Sequence, residues 1–124
     1  METSFQFDPT RPIYLQIIEE VKKRSVRGQY APGSKFPSVR ELSREMGVNP
    51  NTMARAYMEL KREGFLFTQR GQGSFVTETP EQVEAERRRL ADTATERFVS
   101  EIRELEQNEA QRKSLVERLK EELT

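Results

Sequence analysis

The chain has 124 residues, its 21 Lys and Arg are balanced by 21 Asp and Glu, and it contains no Cys and no His. Without these two residue types, disulfides, zinc sites, cysteine nucleophiles and histidine-based catalysis are excluded. No apolar run approaches the roughly 18 residues that could span a bilayer, and the first residues lack the basic and apolar segments of a signal peptide. We therefore expect a cytoplasmic protein that does not enter the membrane.

The neutral total conceals two parts of opposite charge. Residues 1–78 hold 12 basic against 9 acidic residues, an excess of +3, whereas residues 79–124 hold 9 against 12, an excess of −3. All six Gly and five of the six Pro lie in the first part, and the second part is rich in Glu, Arg and Leu. This shift in composition predicts a compact domain over residues 1–78 and a helical extension over residues 79–124.

The first elements are an arm and a helix. Phe5 and Phe7 alternate with polar residues, which fits either a short strand or an anchoring arm. From Ile13 the apolar residues recur at helical spacing. The cations at positions 22–24 suit the C-terminal end of that helix, and Gly28 closes it.

The next elements are two helices joined by a short turn. Residues 30–37 contain two Pro and one Gly, so they predict a loop. Ser38 and Glu41 have the spacing of a capping box, and Gly47 ends the helix that they start. Asn49 is suited to cap a further helix with Pro50 in its first turn. Two helices separated by so short a Gly-containing turn are typical of a helix-turn-helix.

Residues 65–68 and 74–77 are rich in aromatic and β-branched side chains, which predicts two strands. The segment 69–73 between them is a tight, glycine-bearing and basic connection. A strand pair of this kind behind a helix-turn-helix forms a wing. The predicted fold class is therefore mostly α with a small β-wing: a winged helix-turn-helix domain followed by a short C-terminal two-helix region.

Residues 81–107 carry a narrow apolar stripe at helical spacing, and a second stripe follows near the end of the chain. Residues 107–110 fit a turn between two helices, although a continuous helix is also compatible. A stripe this narrow must pack on something, and we predict that it pairs with a second copy of the chain. The alternative is a hairpin packed on its own domain. The residues assigned to dimerisation are Leu90, Ala94, Phe98, Ile102, Leu105, Leu115 and Leu119.

Several motifs, in the right order over roughly residues 10–77, resemble the GntR family of bacterial transcription regulators. They are PIYLQI from Pro12, PGSKFPSVREL from Pro32, VNPNT from Val48 and RGQGSFV from Arg70. The short tail looks like that of the YtrA subfamily. The resemblance implies a homodimer that binds a pseudo-palindromic operator in double-stranded DNA. We expect a transcription regulator that acts as a repressor, and we predict no cofactor and no metal. The resemblance leaves room for a small-molecule effector of unknown identity.

The candidate DNA-binding residues lie on both helices of the helix-turn-helix and on the wing tip. The free N–H groups at a recognition-helix N-terminus favour phosphate, and Asn51 can pair with adenine. By resemblance, two arginines lie beside the DNA backbone and the wing enters the minor groove. The family commonly has Arg at position 54 and a basic residue at position 72, where this chain has Ala and Gln. The predicted set is Ser38, Arg40, Arg44, Asn49, Asn51, Thr52, Arg55, Arg70, Gly71 and Gln72.

Other interpretations of these residues exist. Ser38 and Asn49 fit a capping role, and Arg40 and Arg44, interleaved with glutamates, fit a solvated helix face. For the whole chain, the alternative function is a winged-helix module that docks on proteins and binds no nucleic acid. Catalysis is not predicted, because the carboxylates fall on solvent faces of predicted helices and no glycine-rich phosphate loop is present.

Overall fold

The computed structural model describes residues 5–124, which form two compact units, one extending through Arg88 and the other Arg89–Thr124. Residues 1–4, on which the signal-peptide expectation partly depends, lie outside the described residues. The described elements are, in chain order, α1 (Ile13–Val26), β1 (Lys35–Phe36), α2 (Val39–Met46), α3 (Pro50–Arg62), β2 (Leu66–Gln69), β3 (Gly73–Val76), α4 (Pro80–Glu104) and α5 (Glu109–Glu122). The predicted class, mostly α with a small β-wing, is confirmed. Over residues 5–124, no helix combines the length and the apolar character needed to cross a membrane.

The helix-turn-helix begins and ends where its capping residues predict. The amide of Glu41 donates to the Ser38 hydroxyl at 3.1 Å, and the Ser38 amide donates to the Glu41 carboxylate at 2.8 Å, which completes the capping box. Gly47 follows α2 with φ at 69°, a left-handed conformation that glycine adopts without steric cost. Asn49 then caps α3, with Pro50 as its first residue. The turn between α2 and α3 is therefore only three residues long.

The core of the first unit lies between the three helices and the sheet. α1 and α2 both pack against α3, and α3 packs against β2. The rings of Phe36 and Tyr57 lie 5.6 Å apart at the centre of this contact. The apolar positions predicted at helical spacing are the ones that face inward: among the buried residues are Ile17, Ile18, Val21, Leu42, Met46, Met53, Ala56, Tyr57 and Leu60.

The N-terminal segment is an arm, so one of the two predicted alternatives holds and the strand does not. Phe5 and Phe7 contact each other edge to face, with ring centroids 4.8 Å apart, and both pack on the core. The buried amide of Gln16 fastens the chain that follows. It accepts from the Asp8 amide at 2.8 Å and donates to the Asp8 and Arg11 carbonyls at 2.8 and 3.0 Å.

The sheet has three strands in the order β1-β3-β2, and both pairings are antiparallel. The prediction that residues 30–37 form only a loop is therefore wrong at Lys35 and Phe36. These two residues pair with Phe75 and Ser74 of β3, and the Phe36 side chain is buried against Tyr57. A two-residue strand has too few positions to show a period of two, so only its long-range partner reveals it.

The first turns of α4 belong to the first unit. Val83 is buried, and the Gln82 side chain bridges two elements. Its oxygen accepts from the Thr77 hydroxyl at 3.0 Å, and its nitrogen donates to the Glu63 carbonyl oxygen at 3.3 Å. The compact unit thus continues ten residues beyond residue 78. The division of function at that boundary stays a prediction.

Lys22, one of the cations placed by sequence near the C-terminal end of α1, has a side chain that is only 5% exposed. Its ammonium lies 2.6 Å from a carboxylate oxygen of Glu63, at the end of α3, and 3.5 Å from one of Glu86 on α4. A buried ammonium needs such partners, because its desolvation is otherwise costly. This contact ties α1, α3 and α4 together within the first unit.

The second unit contains the rest of α4 and all of α5, which are separate helices. Glu106 adopts a left-handed φ of 50°, and Asn108 caps α5 through a capping box with Gln111. The Asn108 oxygen accepts from the Gln111 amide at 2.8 Å, and the reciprocal bond is 2.9 Å long. The break covers residues 105–108, so it overlaps the predicted turn 107–110 only in part, and Glu109 and Ala110 already belong to α5. The continuous helix is excluded.

Candidate nucleic-acid interface

The arginines of residues 5–78 divide into two groups of four. Within the described residues, one group forms ion pairs with carboxylates, and it comprises Arg11, Arg24, Arg27 and Arg62. The other group has no carboxylate within ion-pair distance in the described structure, and it comprises Arg40, Arg44, Arg55 and Arg70. All four side chains of the second group are exposed. The arginines assigned to DNA contact are thus the ones left available for an external anion.

The glutamates beside Arg40 and Arg44 are engaged elsewhere. Glu41 closes the capping box of α2, and the Ser38 hydrogen bonds hold the pKa of its carboxyl below the ordinary value of 4.5. Glu45 accepts from the Arg24 guanidinium at 2.6 Å. Arg40 and Arg44 lie four residues apart on α2, so they lie on the same helix face. The acidic side chains therefore do not neutralise the two exposed guanidinium groups by direct pairing.

The start of α3 carries short polar side chains. Asn49, Asn51 and Arg55 are exposed, and Thr52 is half-buried. The side-chain oxygen of Asn49 accepts from the Asn51 amide at 2.7 Å, so this oxygen is already used as a helix cap. Asn51 and Thr52 keep their side-chain groups free of hydrogen bonds within the described residues. Asn49 therefore has a structural role as the cap of α3, as Ser38 has at the start of α2, whatever else the two residues contact.

The wing tip is the exposed turn between β2 and β3. The amide of Gln72 donates to the Gln69 carbonyl at 2.9 Å, and Gly71 has φ at 78°. This left-handed conformation is costly for other residues, so the turn requires glycine there. Arg70, Gly71 and Gln72 are all exposed at the tip. The structure therefore brings the three predicted wing residues together on one short turn.

Two residues of this surface were not among the sequence-predicted site residues. Lys35 on β1 lies beside the wing: its Cε is 3.6 Å from where a Cβ on Gly73 would lie. Tyr14 on α1 carries the Arg55 guanidinium over its ring, with 3.8 Å from Cζ to the ring centroid. The spacing of Tyr14 marked it only as part of an apolar stripe. The short strand that places Lys35 was itself missed.

The residues assigned to dimerisation lie in the second unit and bury little of their surface. Leu90, Ile102, Leu115 and Leu119 are only half-buried, whereas Ala94 and Leu105 are exposed. Phe98 is 37% exposed, and α5 contains no buried residue. The helices of this unit therefore leave its apolar stripes largely uncovered.

Over residues 5–124, no cluster of three or more acidic side chains is placed to hold a metal ion. The carboxylates near α2 and α3 serve instead in caps and ion pairs. The exposed donors of α2, α3 and the wing are suited to bind anions.

Comparison with known sequences places this arrangement in a family. The family described as bacterial regulatory proteins, gntR family, matches residues 13–76. The HTH-type transcriptional regulator YhcF of Bacillus subtilis, described as uncharacterised, is 44% identical over 100 residues, which cover 81% of this chain and 83% of YhcF. The HTH-type transcriptional repressor YtrA of the same organism is 48% identical over 75 residues, 59% of this chain and 58% of YtrA.

Solved structures similar to this chain are also transcriptional regulators. A GntR family transcriptional regulator from Listeria monocytogenes superposes with a TM-score of 0.80 at 38% identity, covering 90% of this chain and 98% of that one. AraR(DBD) in complex with operator ORX1 superposes with a TM-score of 0.55 at 29% identity, covering 60% of this chain and 95% of that one. The relatives' names describe regulators, in agreement with the prediction that the chain is not an enzyme. Because the family matches more than half of this chain, the chain belongs to the gntR family of bacterial transcriptional regulators.

Proposed function

We propose that this regulator acts as a homodimer that binds a pseudo-palindromic operator in double-stranded DNA and represses transcription. In this proposal residues 1–78 form the DNA-binding part and residues 79–124 form the dimerisation region. α3 is the recognition helix in the major groove, α2 lies beside the backbone, and the wing tip enters the minor groove. AraR(DBD), a structural relative, has been solved with its operator.

The observation that carries the proposal is the set of exposed arginines without ion pairs, Arg40, Arg44, Arg55 and Arg70. Phosphate contacts by arginine supply much of the affinity for DNA, and a guanidinium already bound to a carboxylate is less available for them. A protein-docking module has no need to keep this particular group of cations unpaired. The arrangement therefore favours nucleic acid over a protein partner.

Sequence reading is assigned to Asn51 and Thr52 at the start of α3. Asn49 caps α3, so the side chains of Asn51 and Thr52 are not needed as caps. Asn can donate to and accept from adenine in the major groove, and the Thr methyl group can contact thymine. Ser38 and Asn49 contribute mainly by fixing where α2 and α3 begin.

Dimerisation is assigned to the apolar stripes of the second unit. Phe98 and Val99 on α4 and Val116 on α5 are 37%, 38% and 49% exposed. An isolated helix pair gains little from apolar groups left in water, whereas burial against a second copy stabilises it by about 25 cal/mol per Å². We therefore assign these stripes to contact with a second copy, and a hairpin packed on its own domain remains the alternative that the oligomeric state tests. A small-molecule effector would be detected as a ligand that raises the melting temperature of the full chain.

The test uses the full chain and a DNA duplex that it recovers from a randomised library. Arg40→Ala should weaken binding by a similar factor on the recovered duplex and on unrelated duplexes, because a phosphate contact carries no sequence information. Asn51→Ala should instead reduce discrimination between the two. Gln29→Ala, an exposed change beyond the end of α1, serves as the matched control. If neither Arg40→Ala nor Asn51→Ala changes binding relative to this control, the proposed site is wrong.

A further inference from the structure

The contact between Tyr14 and Arg55 joins α1 to the middle of α3. The Arg55 guanidinium carbon lies 3.8 Å from the centroid of the Tyr14 ring, which is the geometry of a cation–π interaction. Tyr14 is half-buried and packs on the core, whereas Arg55 is exposed. The ring is therefore a fixed platform, and the guanidinium is the solvent-facing partner.

Both residues line an open groove that also includes two of the proposed base-reading residues. The groove is formed by Pro12, Ile13 and Tyr14 from the start of α1 and by Asn51, Thr52 and Arg55 from α3. Arg55 is therefore adjacent to the part of α3 that is assigned to the DNA bases. Under the proposed function, a DNA strand that contacts Asn51 and Thr52 also carries phosphates close to Arg55.

Stacking leaves the donors of Arg55 available. The guanidinium carries its five N–H groups in its plane, so a contact through its face uses none of them. Arg55 has no ion pair and no hydrogen bond to a described residue, so its N–H groups are free to meet an anion. An exposed arginine normally loses rotamer freedom when it binds, and a side chain already held on a ring loses less.

We propose that Tyr14 is a positioning residue that holds the Arg55 guanidinium ready for a phosphate of the bound DNA strand. This inference rests on the proposed function, since it deepens the account of the same interface. The contact is made by the ring face of Tyr14, and its hydroxyl group forms no hydrogen bond within the described residues. Phenylalanine at position 14 should therefore preserve the positioning role, whereas an aliphatic residue of similar bulk should not.

The experiment is a double-mutant cycle on DNA affinity, measured with the full chain and the duplex that the wild type recovers from a randomised library. Tyr14→Phe should bind like the wild type, and Tyr14→Leu should bind roughly fivefold more weakly, as loss of one partly desolvated cation–π contact predicts. In the Arg55→Ala background Tyr14→Leu should have no further effect. In the Arg40→Ala background its effect should be retained in full, which is the matched control. Thermal melting of each variant shows that the fold is intact.

The possible results are separable. If Tyr14→Phe weakens binding as much as Tyr14→Leu, or if the effects of Tyr14→Leu and Arg55→Ala multiply, the positioning role is wrong while DNA binding stands. Should Tyr14→Leu fail to fold, Arg55→Lys decides: it keeps the charge and loses the planar face, and wild-type affinity in that variant would overturn the inference. If the wild type recovers no duplex, the proposed function itself fails, and this inference fails with it.

Discussion

The hydroxyl group of Tyr57 donates a 2.6 Å hydrogen bond to the carbonyl oxygen of Pro37, which joins α3 to the residue before the α2 cap. The Ser38 carbonyl lies 3.3 Å from the same hydroxyl. Tyr57 is buried with its ring against Phe36, and this burial raises the pKa of its hydroxyl above the ordinary value of 10.0. These hydrogen bonds thus connect α3, the proposed recognition helix, to the N-terminal end of α2.

Tyr57→Phe should reduce the free energy of unfolding by about 1 kcal/mol, because it leaves the partly buried Pro37 carbonyl without this donor. Urea unfolding of the full chain measures the loss. Tyr14→Phe is the control, since its hydroxyl makes no hydrogen bond within the described residues, and it should change stability by less than about 0.5 kcal/mol. Equal losses in the two variants would show that the Tyr57 hydrogen bond contributes nothing specific.

Lys22→Met should destabilise the first unit by about 2 kcal/mol, because it removes a buried ammonium from beside Glu63 and Glu86 while keeping the side-chain volume. Arg62→Ala removes the exposed ion pair with Glu59 and should cost less than about 1 kcal/mol. Chemical unfolding compares the two variants. A Lys22 variant as stable as the Arg62 variant would contradict a structural role for the buried contact.

Glu41 should make the stability of the chain depend on acidic pH. Its folded pKa lies below 4.5, so its contribution is fully present above that pH and is lost as the pH falls through the folded pKa. Glu41→Gln keeps an oxygen that can accept from the Ser38 amide but does not ionise. The wild type should exceed this variant in unfolding free energy at neutral pH, and the difference should shrink at lower pH. A difference that stays constant with pH would exclude the carboxylate as its source.

Gln72→Lys should strengthen DNA binding by adding one cation to the wing tip. If the tip contacts a phosphate, the plot of log affinity against log salt should steepen by about one unit. Gln29→Lys adds the same charge beyond the C-terminal end of α1 and should leave the slope unchanged. Binding isotherms at several salt concentrations supply both slopes. Equal slopes for the two variants would remove the wing tip from the interface.

Phe98→Glu should disrupt the proposed dimer, because burial of an unpaired carboxylate in an apolar contact is energetically unfavourable. Arg97→Glu changes the neighbouring residue, which is exposed and already charged, and should leave the dimer intact. Sedimentation velocity of both variants and the wild type measures the oligomeric state. A wild-type chain that sediments as a monomer at micromolar concentration would contradict the dimer, as would a dimeric Phe98 variant.

Much of the fold could be predicted, because its signals are local. Ser38, Gly47 and Asn49 fix helix ends through caps that act within three or four residues, and the buried stripes repeat every turn. The turn at the wing tip is likewise local, since Gly71 supplies its own backbone conformation. These features appear in the sequence where they act in the structure.

The missed features depend on partners far along the chain. β1 exists because β3 pairs with it. The ammonium of Lys22 can be buried because it forms an ion pair with Glu63, which lies 41 residues later in the sequence. The Tyr14 platform under Arg55 also joins residues 41 positions apart. Periodicity classifies such residues by their own element, so it assigned Tyr14 to an apolar stripe and gave no sign that Lys22 is buried.

Selection of a randomised duplex library with the full chain, followed by sequencing of the recovered DNA, shows whether the protein binds an operator as a dimer. A homodimer that reads DNA through α3 and the wing should enrich an inverted repeat whose half-sites lie on one side of the duplex, spaced by about one helical turn. Recovery without any enriched sequence, or enrichment of a single unrepeated site, would contradict the account.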